Sequence, residues 1–243
     1  MVALWNTFIH DPLLNLLILF YNTIAFGDLG VAIILLTVLV RLLLFPLFHK
    51  STRQQVLLQK IQPKINEIKK RHKKNLQKQG EELMALYKEH NISPFAGLGV
   101  MVIQIPVLIA IYRIFLNIFK DGALRGLYGF VAAPQTLHHI SLGFLDLQQP
   151  SYALAVIAAA LQYVQLRLLQ RSPQGKVDGK AKMVQGMMAS IMPLFIFFFL
   201  VKLPAALGIY LLTTILFSII QQEVIRRKLE HDAGLERVRT EDN

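Results

Sequence analysis

Arg41 lies seven residues inside the end of an apolar stretch, Leu29 to Phe48, and Thr37 stands four positions before it on the same helical face. The stretch is long enough to cross a bilayer, and a cationic side chain at that depth is costly enough to demand a reason. The chemistry such a residue offers is electrostatic. A guanidinium is always charged and holds a carboxylate through two parallel hydrogen bonds. Polar residues on other apolar segments recur at helical spacing. Tyr210, Thr214, Ser218 and Gln221 follow one another at intervals of four, four and three; Gln104 and Tyr112 are eight apart on one side of a second segment; Gln162 and Gln165 are three apart on a third. One Gln or Ser in an apolar helix serves as interhelical glue, whereas four stripes around a membrane-embedded Arg imply a water-containing groove. Arg41 alone has a structural alternative, snorkelling to an interface or tying neighbouring helices together.

Covalent catalysis has no footing in this chain. His138 and His139 are adjacent and do not converge on one ligand direction, and no helix pairs two His four apart around a Glu. A glycine-rich phosphate loop and a nucleophile elbow are both missing from the sequence. Asp11, Asp28, Asp121 and Asp146 fall in outer segments or at span ends, which disfavours an intramembrane aspartyl protease or a carboxylate proton relay. The expectation is a protein that is not an enzyme and carries no cofactor and no metal. With no cysteine, disulfides, thiol chemistry and cysteine-ligated metals are excluded.

The elements that must position these residues are apolar helices. Hydrophobic residues make up 54% of the chain and mean hydropathy is +0.46, with the charges gathered into blocks, as expected of an integral membrane protein. Apolar windows predict five spans: 28–48, 95–119, 151–169, 183–201 and 203–222. The last two make a tight hairpin around Lys202, Leu203 and Pro204. Residues 1–27 form an outer segment whose apolar piece, Leu13 to Phe26, is too short to span and carries Asn15 and Asn22, so it reads as an interfacial helix. The absence of Lys and Arg from those 27 residues removes the basic region of a conventional signal peptide.

Positive loops stay in the cytoplasm. Residues 49–94 carry eleven Lys and Arg, the loop 170–182 four and the tail 223–243 five, whereas the opposite side holds only Lys120, Arg125 and Lys202. The amino terminus is therefore expected outside, the carboxyl terminus in the cytoplasm, and 120–150 as an outer loop. Arg113 and Arg167 sit near span ends and snorkel.

Residues 49–94 hold a helical hairpin. Leu58, Ile61, Ile65 and Ile68 recur at helical spacing, Pro63 kinks that helix or marks a join, and after a break around Asn75 to Gly80 a second helix runs Glu81 to Glu89. Lys60, Pro63, Lys69, Lys70, Arg71, Lys73 and Lys74 form either a solvated connector that orients the protein or a docking surface for anionic lipid headgroups or ribosomal RNA. Met183, Met187, Met188 and Met192 pack ordinarily or offer an adaptable surface to varied apolar partners.

Several motifs in order resemble the YidC-type membrane protein insertases. They are Thr37-Val-Leu-Val-Arg41 with Pro46 behind it; Ile61-Gln62-Pro63; Tyr87 through Pro94 leading into Gln104-Ile-Pro106 and Ile111-Tyr112; Phe144-Leu-Asp146-Leu; Met187-Met188 with Met192-Pro193; and Pro204-Ala-Ala with Ile209-Tyr210 and Gln221. The resemblance covers about Leu14 to Arg226. It departs at Leu211, where the pattern has Trp, and at Ile215, where it commonly has Asn.

The resemblance implies an all-α integral membrane protein with five transmembrane helices around a hydrophilic groove, an outer interfacial helix and a cytoplasmic helical hairpin. It implies an insertase and folding chaperone that moves short external tails of nascent membrane proteins across the bilayer and releases their apolar helices into lipid. The groove would be lined by Arg41, Thr37, Gln104, Tyr112, Gln162, Gln165, Tyr210, Thr214 and Ser218. Nascent membrane proteins and membrane lipids are the implied partners, the Sec translocon and the ribosome are further candidates, and a monomer would suffice in the cell membrane. The alternative from another class is a small-solute transporter or channel. The five unlike spans, with neither an inverted repeat nor Gly-interrupted half-helices, argue against it.

Overall fold

The computed structural model describes residues 2–93, 96–120, 122–169 and 191–241. The chain divides into two compact units: Met1–Leu44, Val102–Gln162 and Met192–Phe217 form the first, and Phe45–Met101, Tyr163–Ile191 and Ser218–Asn243 the second. Both are mostly helical.

The first unit opens with α1 (Val2–Trp5), a π-helical turn over Asn6–His10 and α2 (Asp11–Thr23), which starts on Pro12 in its first turn, where the missing N–H costs nothing. Leu13, Leu14, Leu17, Ile18 and Tyr21 fall on one face of α2 and are buried. They pack with Leu29, Ala32, Ile33 and Leu36 of α3 (Leu29–Leu43), Ala110, Ile111, Ile114 and Phe115 of α7 (Ala96–Asn117) and Ala206, Leu207 and Tyr210 of α10 (Ala205–Glu241). Phe26 and Gly27 take left-handed backbone conformations and stop α2, so the chain re-enters a helix at once.

Asp28 begins α3 and does more than cap it. Its Oδ1 accepts from the Val31 N–H at 3.1 Å and from the Ser141 hydroxyl at 2.6 Å, and its Oδ2 accepts from the Leu142 N–H at 2.6 Å. One carboxylate thus fastens the start of α3 to a small antiparallel hairpin, β1 (Ile140–Ser141) and β2 (Leu145–Asp146). The Leu147 and Gln149 carbonyls beyond β2 accept from the Ala206 and Ala205 N–H groups at 3.2 and 2.9 Å, satisfying the otherwise orphaned start of α10.

Gly30 is the closest approach in this joint. A Cβ there would lie 2.1 Å from Ser141 Oγ and 2.8 Å from Ser141 Cβ, and that hydroxyl is already held by Asp28. Gly30→Ala is expected to cost about 1–3 kcal/mol through overpacking. The check is the thermal midpoint of the detergent-solubilised protein: the alanine should lower it markedly in the wild-type background and much less beside Ser141→Gly. Equal losses in both backgrounds would mean that Ser141 is not the obstacle.

The second unit is built around α4 (Phe45–Lys60), α5 (Gln62–Arg71) and α6 (Leu76–Glu89). The kink or join expected at Pro63 is a join: one helix ends before Ile61 and the next begins after it, with Pro63 in the first turn of α5. The next helix starts earlier than the expected Glu81, because Asn75 caps it by accepting from the Lys78 N–H at 3.0 Å and Gly80 sits inside it with open space around it. Ile61, Ile65, Leu86 and Ile92 form the buried seam between α5 and α6, flanked by Leu58, Ile68, Leu83 and Tyr87. The Gln54 amide closes the base: it donates to the Asn91 carbonyl at 3.1 Å and accepts from the Ser93 N–H at 3.0 Å.

The expected first span, Leu29 to Phe48, is interrupted at Leu44, and Pro46 lies in the first turn of α4. The third, α8 (Tyr152–Leu169), begins one residue after Ser151, whose hydroxyl accepts from the Leu154 N–H. Of the fourth, the described part is α9 (Ile191–Leu200). The fifth does not stop near residue 222, since α10 continues to Glu241. Among the described residues one helix is by itself long and apolar enough to cross a membrane, Ala205–Leu229; Leu29–Leu43 and Phe45–Lys60 qualify only taken together, and Gln104–Asn117, Tyr152–Leu168 and Ile191–Leu200 are apolar but shorter.

Candidate functional site

Arg41 projects from the last turn of α3 into the first unit and is only 6% exposed. One turn earlier Thr37, 1% exposed, donates its hydroxyl to the Ile33 carbonyl at 2.6 Å, so its polarity is satisfied inside its own helix. Facing them is Tyr210 of α10, 2% exposed and close enough to Arg41 to feel its charge. The Tyr210 hydroxyl accepts a hydrogen bond from the Gln104 side-chain amide of α7, with the Thr214 hydroxyl beside it one turn further along α10.

Three helices therefore bring a cation, a phenol, an amide and a hydroxyl to one place inside an apolar unit. The described carboxylates of that unit are occupied elsewhere: Asp11 by His10 at 2.9 Å, Asp28 by Ser141 and Leu142, and Asp146 by the Gln148 N–H at 2.9 Å. No group of three or more His, Asp or Glu able to hold a metal occurs among the described residues. The arrangement suits capture of an anionic group through charge-assisted hydrogen bonds, followed by release without covalent change.

The other expected groove residues differ in burial and in unit. Tyr112 is 36% exposed, although Gln104 on the same helix is half-buried. Eight residues of α-helix rotate a side chain by about 80°, and Pro106 lies between the two. Gln162 is half-buried on α8 in the first unit, whereas Gln165 and Ser218, also half-buried, belong to the second. Met192 is exposed on α9; Met183, Met187 and Met188 lie outside the described residues, as do Pro94 and the loop 170–182.

In the second unit Lys69, Lys70, Arg71, Lys73 and Lys74 are all exposed around the end of α5. Arg71 and His72 share Glu82 at 3.6 and 2.8 Å, and the Lys60 ammonium donates to the Leu229 carbonyl of α10 at 3.3 Å. Pro63 is half-buried and shapes the hairpin without offering a polar contact of its own.

Two features escaped a reading based on spacing. Asn15 is buried, donates to the Asp11 and Gly126 carbonyls at 2.8 and 2.9 Å and accepts from the Tyr128 N–H at 2.7 Å. Gln221 and Gln222 are both buried in α10, and Nε2 of the first and Oε1 of the second make no hydrogen bond. The available signal was an adjacent pair of amides in an apolar helix, of which spacing selected only Gln221.

A family model described as 60Kd inner membrane protein matches residues 20–232, nearly the whole chain and every helix that carries the Arg41 cluster. The chain belongs to this family. Among similar proteins is one named membrane protein insertase YidC from Nitratidesulfovibrio vulgaris strain DP4, 33% identical over 224 residues, which cover 92% of this chain and 39% of the relative. Proteins of the same name from Magnetococcus marinus and Campylobacter jejuni are 33% and 30% identical, covering 94% and 92% of this chain and 37% and 38% of theirs. This member of the 60Kd inner membrane protein family spans about two fifths of the length of those relatives.

Proposed function

We propose that the chain is a membrane protein insertase and folding chaperone, working as a multi-pass protein of the cell membrane. Five spans enclose a hydrophilic groove, the amino terminus lies outside and the carboxyl terminus lies in the cytoplasm. A client enters with a short external tail, Arg41 attracts an acidic residue in that tail, and the client's apolar helix slides along the greasy sides of the groove into lipid. Partitioning of a whole apolar span supplies the driving force, so no nucleotide and no covalent intermediate is required. Tyr112, Gln162, Gln165, Thr214 and Ser218 extend the polar lining, and the exposed Lys69, Lys70, Arg71, Lys73 and Lys74 receive anionic partners on the cytoplasmic side.

One observation carries the reading: a buried Arg on an apolar helix, beside a buried Tyr210 whose hydroxyl has Gln104 and Thr214 as partners. Such a group is expensive to maintain in a membrane, and the relatives' shared name supplies a task for it. The test is insertion of a single-span reporter with an acidic external tail in cells depleted of their own insertase. Restored tail translocation on expression of this chain is the expected result; accumulation of the protein in the membrane without restored translocation would remove the assignment.

A further inference from the structure

The geometry points to a binding site for the phosphate headgroup of an anionic phospholipid at the loop end of α7. Two of the three cations on the side opposite the basic loops, Lys120 and Arg125, line one cavity of about 420 Å³. Its apolar wall is built by Ile118, Phe119, Leu124 and Leu137. That volume lies within the roughly 300–1,000 Å³ typical of small-molecule sites.

Both cationic heads are held by their surroundings. The Lys120 ammonium donates to the Asn117 side-chain oxygen at 2.9 Å and keeps two further donors. Gly122 adopts φ +77°, which folds the chain back on itself, and a Cβ there would lie 3.0 Å from Arg125 Nε, so the guanidinium rests against bare backbone. None of the described lining residues is a carboxylate; Asp121, between the two cations in sequence, lies outside the described residues.

A phosphodiester suits the pair of cations, and the apolar wall suits the glycerol and first methylenes attached to it. A free phosphate would use the cations and leave the wall unused, which favours the lipid. The bilayer surface is reached here because α7 ends at Asn117; that step rests on reading α7 as a span, while the cavity and its charges do not.

The experiment is native mass spectrometry of the purified protein from mixed micelles with equal phosphatidylglycerol and phosphatidylcholine. The wild type is expected to retain phosphatidylglycerol with about a tenfold preference, the order set by two surface cations. The variant with Lys120→Gln and Arg125→Gln should lose the preference, Arg125→Lys should keep most of it, and Lys202→Gln should leave it unchanged. Both target side chains are exposed, and an unchanged thermal midpoint checks that the fold survives. Undiminished preference in the double variant, or an equal loss in Lys202→Gln, overturns the proposal. Displacement of the lipid by millimolar glycerol 1-phosphate also overturns it, in favour of a free-anion site. None of these outcomes depends on insertion activity.

Discussion

Arg41→Ala is expected to abolish translocation of an acidic client tail while the protein accumulates in the membrane at wild-type level. Two unit charges about 4 Å apart at an effective dielectric near 20 attract by about 4 kcal/mol, comparable with the several kcal/mol needed to desolvate a carboxylate. Removing that attraction leaves the desolvation cost unopposed, and about 1.4 kcal/mol is a factor of ten in population, so loss to background is the scale anticipated. Arg41→Lys should retain part of the activity, because the charge persists and the bidentate geometry does not. The decisive arm exchanges charges. Arg41→Glu paired with a client tail whose acidic residue is replaced by Lys should recover insertion, whereas either change alone should not. Recovery is read as protease protection of the translocated tail at matched protein levels. Full activity of the alanine variant on acidic tails would show that Arg41 serves packing with Tyr210 rather than capture.

Asn15→Leu is expected to have the largest effect on folding away from Arg41, on the order of 2–4 kcal/mol. Leucine fills a similar volume at a site that is 3% exposed, so packing changes little and the loss isolates the hydrogen bonds. The Gly126 carbonyl and the Tyr128 N–H would both lose their partner, and these bonds hold α2 to the loop 120–150 across more than a hundred residues of chain. Asn15→Asp should be worse than leucine: it still accepts from Tyr128 but sets a carboxylate against two carbonyl oxygens. Limited proteolysis of the loop from residue 126 onward, followed with the thermal midpoint, gives the ranking. Wild-type resistance in Asn15→Leu would mean that Tyr21, whose hydroxyl donates to the Thr136 carbonyl, and Asn22, whose amide donates to the Ala132 carbonyl, secure the loop without it.

What the residue pattern made legible was the local geometry. Thr37 and Arg41 share a face of one helix because four residues overshoot a full turn by only about 40°, and Pro63 marks a join because its ring is accommodated without loss in the first turn of a helix. Asn75 reads as a breaker and is a cap, the same short side chain serving either role until the following residues decide. Partnerships across long separations were not legible. Nothing near Asp28 announces that it also holds Ser141 and Leu142, and nothing near Gln104 selects Tyr210, 106 residues away, over the other polar groups of the last span. Two of the expected groove residues, Gln165 and Ser218, belong to the second unit, because helices α8 and α10 pass through both units and a stripe read along one helix does not reveal where the unit boundary cuts it. The extension of α10 to Glu241 is not legible from composition, because the charged segment after Gln222 reads as a tail, although Glu223 pairs with Arg226 and Arg227 at helical spacing.

The anchoring of α10 by the Leu147 and Gln149 carbonyls sets the angular phase of everything behind it. Tyr210 comes five residues after Ala205, close enough to the pinned end that neither its azimuth nor its depth has slack to drift. Inserting one residue between Ala206 and Tyr210 would turn the phenol by about 100° and shift it about 1.5 Å along the axis, carrying it off Gln104 and away from Arg41 without altering one side chain of the cluster. The small strand pair and the turn after it thus act as a datum from which the polar centre is indexed.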